Sequence, residues 1–176
     1  MKKTALILAI IMIVSILSGC SKPEESEIPA GYAKATNDAV EYEYLYPSTW
    51  TLDRNDGLIK VIITPEDAGD SSNITSVTSQ LDSSITTLAD YFNKYADNFK
   101  ETFTDYELVG EPKEVENTYT VSYKGKIAGV EYKFLQQIRY NNRTGYIHTF
   151  TYTSPTGYYD LHIEQVQAVF DSISFK

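Results

Sequence analysis

The chain has 176 residues, with 15 Lys and Arg against 24 Asp and Glu, which gives a formal net charge of −9. This length is typical of one domain, and the acidic balance argues against broad nucleic-acid binding, which needs a clustered basic face. The single cysteine, Cys20, excludes an internal disulfide bond and a zinc site made of several thiolates.

Residues 1–19 have the pattern of a secretory signal peptide. Lys2 and Lys3 precede an apolar run at 5–17, which is shorter than the ~20 residues of a membrane-spanning helix. The following sequence LSGC at 17–20 resembles the lipobox of bacterial lipoproteins. That resemblance implies cleavage before Cys20 and attachment of a diacylglyceryl group to its thiol. The alternative is an ordinary secretory signal followed by an incidental cysteine.

Residues 20–31 are predicted to be the lipidated N-terminus and a flexible tether. Pro23, Pro29 and three glutamates occur there without hydrophobic periodicity. Loss of residues 1–19 would remove two lysines and no acid, so the mature chain would be even more acidic. Acyl chains, rather than a basic patch, would therefore hold it at the membrane.

The segment from residue 32 to residue 80 reads as a meander of short strands. Its apolar and aromatic runs are separated by turn signals at Pro47-Ser48 and at Asn55-Asp56-Gly57. Residues 65–72, which contain three acids and a glycine, are predicted to be an exposed loop. We predict strands at 42–46, 50–52, 58–63 and 73–80.

The hydrophobic period then becomes helical. Thr87 and Asp90 have the spacing of a capping box, so a helix is predicted to begin near Thr86. One apolar stripe is expected to pack on the sheet, and it consists of Leu88, Phe92, Tyr95, Phe99 and Phe103.

Residues 104–116 read as a transitional segment, and three strongly alternating stretches follow it. They predict an antiparallel meander at 118–123, 130–140 and 146–152. Ser154-Pro155-Thr156 is predicted to open a second helix, before a short terminal segment at 173–175. The apolar stripe of this helix consists of Tyr159, Ile163, Val166 and Phe170.

This pattern predicts an α+β domain over residues 32–176, in which a mostly antiparallel central sheet is flanked by two main helices. The element order, together with YPSTW at 46–50, LADY at 88–91 and ISF at 173–175, resembles the PsbP-like fold group. That group includes the photosystem protein PsbP, a Ran-binding nuclear import factor and bacterial lipoproteins of the DcrB type. The resemblance implies an α/β/α sandwich that binds other proteins, but fold alone does not identify a partner.

Catalytic and cofactor motifs are lacking. The two histidines, His148 and His162, have no metal-ligand spacing, and neither a nucleophile elbow nor a nucleotide-binding loop occurs. We therefore predict a protein that is not an enzyme and has no cofactor. A hydrolase would require one histidine to meet an acid and a nucleophile in a cleft.

Oxygen-rich turns are weak candidates for a calcium site, because carboxylates are ligands that calcium prefers. Neither turn has the spacing of an EF-hand, and we favour their interpretation as solvated turns. The candidate ligands are Asp53 and Asp56 in one turn and Glu66, Asp67 and Asp70 in the other.

Two aromatic residues are candidates for a binding surface. Trp50 follows a proline-fixed turn, and Tyr158 is adjacent to Tyr159 on the second predicted helix, where only one of the two can share the buried stripe. We expect Tyr158 to be exposed. The alternative, that these rings simply pack in or beside the core, remains open, and for Trp50 it is favoured.

Together these patterns predict a membrane-anchored lipoprotein on the extracytoplasmic side of a bacterial cell membrane. It would act as a non-enzymatic protein-binding or assembly module with an envelope protein as partner, and without nucleic acid. An alternative is a small-molecule-binding lipoprotein that serves a transporter, with a pocket between sheet and helix. An envelope hydrolase is the least favoured function.

Overall fold

The computed structural model describes residues 28–54 and 59–176. The predicted signal peptide, Cys20, most of the tether and the turn at 55–57 lie outside these ranges. In chain order, the described elements are β1 (Tyr32–Ala35), β2 (Tyr42–Pro47), β3 (Thr51–Asp53), β4 (Lys60–Ile62), β5 (Asn73–Gln80), α1 (Leu88–Thr102), β6 (Thr104–Leu108), β7 (Lys113–Val115), β8 (Thr118–Ile127), β9 (Val130–Asn141), β10 (Tyr146–Pro155), α2 (Thr156–Asp171) and β11 (Ser174–Phe175).

The strands form two sheets. The larger sheet has the order β3-β4-β5-β10-β9-β8-β6, with β7 also paired to β8, and the smaller has the order β1-β2-β11. All of these pairings are antiparallel. The predicted meander of three long strands is confirmed as β8, β9 and β10, which lie side by side in the larger sheet.

The two helices lie on opposite faces of the larger sheet, which confirms the predicted fold class. Side chains alternate along β10, so Phe150 and Tyr152 pack in the core that contains α2, whereas Ile147 packs in the core that contains α1. The smaller sheet shares the α2 side. Its largest fully buried residues are Tyr42 and Tyr44, which pack with Phe150 and Phe170.

The start of α1 follows the predicted capping pattern. The Thr87 hydroxyl accepts a hydrogen bond from the Asp90 backbone N–H at 3.0 Å, and the helix begins at Leu88. The predicted stripe is wrong at Tyr95, which is 38% exposed, whereas Tyr91 is buried. The reason is that α1 packs mainly on β6, β8 and β9, so Tyr95 lies beside strands that the helix does not cover.

The segment at 104–116 is not merely transitional, because it contains β6 and β7. Both strands are largely exposed and charged, so they lack the alternation that marks a half-buried strand. The loop at 65–72 is also not wholly exposed, since Asp70 and Ser72 are buried. Among the described residues, no helix is long and apolar enough to cross a membrane.

Candidate functional site

A cleft lies on the α1 face of the larger sheet. Because α1 covers mainly β6, β8 and β9, the neighbouring strands β10 and β5 remain open on this face. The cleft runs between α1 and the open strands and has a volume of about 320 Å³. Such a space is at the lower end of the size of small-molecule pockets, which is ~300–1,000 Å³.

The floor of the cleft comes from three adjacent strands. Thr149 of β10 pairs with Val77 of β5 on one side and with Ile138 of β9 on the other. Residues two positions apart share a face of a strand, so Thr151 and its partner Gln136 extend the same floor. The floor therefore combines apolar side chains with neutral hydrogen-bonding groups.

The wall of the cleft is aromatic and comes from α1. Tyr91 and Tyr95 are one helical turn apart, and their ring centroids are 5.0 Å apart in an edge-to-face arrangement. Phe92 and Phe99 are two turns apart, and their centroids are separated by 6.1 Å. These four rings line the cleft, and Tyr95 lies at its solvent side.

The lining residues, all of which belong to the described part of the chain, include no charged group. The Gln136 side-chain amide donates to Thr151 Oγ1 at 3.0 Å. The Thr149 hydroxyl is buried and has no hydrogen-bond partner within residues 28–54 and 59–176. An unsatisfied buried hydroxyl costs about 1–3 kcal/mol.

A buried polar cluster lies on the opposite face of the sheet and joins the loop at 65–72 to α2. The Asp70 carboxylate accepts hydrogen bonds from His162 Nε2 at 2.8 Å, from the backbone N–H of Ser72 at 3.0 Å and from that of Glu66 at 3.2 Å. Burial alone would raise the pKa of Asp70. Hydrogen bonds from the Ser72 hydroxyl, from His162 and from the two amides outweigh burial and lower the pKa below its ordinary value.

This cluster lacks the order of a nucleophilic triad. In a triad the histidine lies between the nucleophile and the acid, whereas here Asp70 lies between Ser72 and His162. The Ser72 hydroxyl is also hydrogen-bonded to Ser154 Oγ at 2.8 Å. All four residues of the cluster are buried, namely Asp70, Ser72, Ser154 and His162. The arrangement holds a loop against a helix and offers no exposed nucleophile.

His148 is also buried. Its Nδ1 is hydrogen-bonded to Thr78 Oγ1 at 3.0 Å, and its Nε2 lies 3.6 Å from a carboxylate oxygen of Glu41. Burial lowers the pKa of His148 and outweighs the opposing effect of Glu41, so the imidazole is neutral near pH 7. No group of three or more metal-ligating side chains occurs among the residues that the structure describes.

The two aromatic candidates have different positions. Trp50 is only 6% exposed and packs in the core that contains α2. This burial favours the interpretation of Trp50 as a packing residue over its prediction as a binding-surface residue. Tyr158 is partly exposed, and its hydroxyl donates to Asp67 Oδ1 at 2.6 Å. Tyr158 therefore joins α2 to the loop at 65–72 rather than standing free.

Among the described residues, the carboxylates proposed for calcium do not form a cluster of three or more. Glu66 and Asp67 are exposed. The Asp70 carboxylate points inward, and its oxygens already accept hydrogen bonds from His162 and from groups of its own loop. Asp53 lies on β3, and Asp56 is outside the described residues.

The cleft itself was not predicted residue by residue. Its sequence signal is the run of threonines at alternate positions of β10, where a covered strand would carry apolar groups.

Comparison with known proteins defines the fold. No protein-family model matches the chain, and no curated protein matches it. Cyanobacterial PsbP from Synechocystis sp. PCC 6803 matches with a TM-score of 0.56 at 18% identity, over 84% of this chain and 94% of that one.

Two other solved structures show the same architecture. LpqN of Mycobacterium tuberculosis, described as involved in cell envelope biogenesis, gives a TM-score of 0.57 at 10% identity, over 82% of this chain and 85% of LpqN. The Ran-binding protein Mog1p of Saccharomyces cerevisiae gives 0.61 at 9% identity, over 82% and 95%. The chain therefore has the PsbP-like α+β fold.

Proposed function

We propose that the chain is a membrane-anchored lipoprotein of the extracytoplasmic side, and that it acts as a non-enzymatic protein-binding or assembly module. The anchor is a lipid on Cys20, which follows the lipobox-like sequence at 17–20. Two proteins with this fold are described by a Ran-binding role and by a role in cell envelope biogenesis. The Ran-binding description fits a scaffold that works through surface contacts.

The observation that carries the binding role is the open part of the sheet beside α1. Val77 is 50% exposed and lies on the face that α1 leaves uncovered. Tyr95 adds an aromatic ring at the edge of this face. Exposed apolar side chains grouped in this way mark interaction sites on proteins more often than isolated ones do.

The burial of both histidine rings supports a role without catalysis. His162 is held in the buried cluster with Asp70, and the ring of His148, which is hydrogen-bonded to the hydroxyl of the exposed Thr78, is itself fully buried. Chemical crosslinking in intact envelopes, followed by affinity capture of the chain, tests the role directly. Recovery of a specific partner protein supports the proposal, whereas turnover of a substrate by the purified chain would contradict it.

Replacing Cys20 by alanine is expected to move almost all of the protein from the membrane fraction to the soluble fraction, provided that cleavage by another signal peptidase follows. Each buried methylene of an acyl chain contributes about 0.8 kcal/mol, and two or more chains make a stable anchor. Labelled palmitate should enter the wild type and a Ser21→Ala control, but not Cys20→Ala. An unlabelled wild type would overturn the anchor.

A second candidate function is the binding of a small molecule by a lipoprotein that serves a transporter. The concave shape and aromatic lining of the cleft favour it, because a flat protein-binding face needs no concavity of about 320 Å³. A thermal-shift screen separates the two functions, since a ligand at a hundredfold excess over its dissociation constant stabilises the folded state by about 2.7 kcal/mol.

A further inference from the structure

We infer that the apolar tip of the hairpin between β8 and β9 inserts into the surface of a lipid bilayer, and that this contact orients the domain on the membrane. The apolar tip consists of Ile127, Ala128, Gly129 and Val130. The inference rests on the proposed lipid anchor at Cys20. It adds a second contact with the membrane and identifies the end of the domain that faces it.

The apolar tip is exposed along its whole length. Ile127 and Val130 form the last cross-strand pair of the hairpin, and they are 40% and 48% exposed. The two residues between them, Ala128 and Gly129, are exposed as well and carry no polar side chain. Four successive exposed residues without a polar group are unfavourable in water unless they serve a function. The tip therefore fits a surface that removes apolar groups from water.

The backbone of the tip is a separate indication that its apolar character matters. The φ angles of Ala128 and Gly129 are 50° and 83°. Positive φ at both central residues of a two-residue hairpin loop is the mark of a type I′ turn, in which Asn or Asp before Gly is preferred. An alanine is strained there because of its Cβ. The tip is thus apolar at a position where the turn itself favours a polar residue.

The turns at the two ends of β9 distinguish the two ends of the larger sheet. The apolar tip includes the first residue of β9, Val130, and the turn to β10 follows its last residue, Asn141. Since β9 has 12 residues, these ends are about 40 Å apart. In the turn after Asn141, the Thr144 hydroxyl donates to Glu41 Oε2 at 2.7 Å. Because Glu41 immediately precedes β2, that strand begins at the end far from the tip.

The N-terminal segment enters the domain at the tip end. Along β2, Tyr44 contacts Phe150 in the middle of β10, so β2 runs away from the far end. Its last residue, Pro47, pairs with Tyr32 at the start of β1. Tyr32 follows Cys20 by 12 residues, which span at most about 40 Å. A lipid on Cys20 would keep this end near the bilayer and raise the effective concentration of the tip at the lipid surface.

The charges beside the tip favour an apolar contact over an electrostatic one. Lys124 and Lys126 precede the tip on β8, and they are paired with Glu107 at 3.0 Å and with Asp105 at 2.6 Å. Glu131 follows the tip on β9 and adds a negative charge. These five residues have no net positive charge, so they do not select anionic lipids. The partner surface is the boundary between head groups and acyl chains, which zwitterionic phosphatidylcholine supplies.

A fluorescent probe at the two opposite turns tests the inference. Cys20 is the only cysteine in the sequence, and its thiol would carry the lipid, so an introduced cysteine can be labelled selectively. The full lipidated chain carries the fluorophore NBD at Ala128→Cys or, as the matched control, at Asn142→Cys in the exposed turn at the far end. In phosphatidylcholine vesicles, nitroxide lipids should quench the probe in the tip at least about threefold more strongly, equally in low and high salt.

Polar variants locate the contact within the tip. Ile127→Asn and Val130→Asn, each combined with Ala128→Cys, should lower the quenching by at least about half, because they replace apolar surface that would enter the bilayer. Val115→Asn makes the same change as Val130→Asn at a strand residue that is 68% exposed and lies outside the tip, so quenching should not change. Unfolding in urea should remain cooperative for all three variants, since all three sites are exposed.

Three results would overturn the inference: equal quenching at the two turns, an effect of Val115→Asn as large as that of the tip variants, or quenching that disappears in high salt. Palmitate labelling of the same preparation separates these results from failure of the anchor. A labelled chain with equal quenching at both turns would refute the tip contact and leave the proposed anchor intact. An unlabelled chain would refute the anchor and the inference with it.

Discussion

Replacing Asp70 by alanine is expected to lower the free energy of unfolding by about 3 kcal/mol, because it leaves several buried donors without an acceptor. The Asp70 carboxylate accepts from His162 Nε2, from the Ser72 hydroxyl and from two backbone amides. Since Asp70 and His162 are both buried, water cannot replace the lost bonds without opening the structure. Equilibrium urea unfolding measures the loss.

Asp67→Ala is the matched control, because it makes the same change in the same loop at an exposed site. Its carboxylate accepts from the Tyr158 hydroxyl and from the backbone N–H of Gly69. Solvent can replace these bonds, so the expected loss is below about 1 kcal/mol. Equal losses for the two variants would contradict the structural role of the buried cluster.

The Asp70 carboxylate also makes part of the protein's stability depend on pH in the acid range. The folded-state pKa of Asp70 is below its ordinary value, so its contribution is present above the unfolded pKa of about 3.9 and is lost as pH falls through the folded value. In urea unfolding, the stability difference between wild type and Asp70→Asn should therefore shrink below about pH 4. A difference that is independent of pH would contradict this assignment.

Replacing Phe150 by alanine is expected to cost about 3–5 kcal/mol, which is the usual range for a large aromatic residue removed from a core. Phe150 is fully buried in the middle of β10 and contacts Tyr42 and Tyr44 of β2 edge to face. Its centroid is 4.9 Å from that of Tyr42 and 6.2 Å from that of Tyr44. The ring therefore joins the larger sheet to the smaller one.

Phe175→Ala provides the comparison for Phe150. Phe175 is only partly buried and lies in the two-residue strand β11, so the cavity left by its removal is open to solvent. The expected loss is about 1 kcal/mol. Chemical unfolding of both variants checks the ranking, and a Phe175→Ala loss as large as that of Phe150→Ala would contradict the position assigned to the core.

Local patterns predicted the elements that pack through one regular face. The alternation in β8 and the stripe in α2 are visible in the sequence because each of these two elements buries one face along its length. The capping pair Thr87 and Asp90 likewise acts within one helical turn. These features need no knowledge of distant neighbours.

The features that local patterns missed depend on distant partners. Asp70 appeared to belong to an exposed loop because its partner, His162, is 92 residues away in the sequence. The sequence pattern does not indicate strands β6 and β7, because both are largely exposed and their hydrogen-bonding partner is the distant strand β8. The cleft arises because the larger sheet is wider than the area that α1 covers, which no single segment encodes.

Site-specific photocrosslinking in living cells tests the binding role most directly. A benzophenone amino acid is placed at Val77, beside the cleft, and in a second strain at Val115, an exposed valine outside it. We expect one dominant protein adduct at Val77 and little adduct at Val115. The same weak, diffuse adducts at both positions would contradict a binding role for this face.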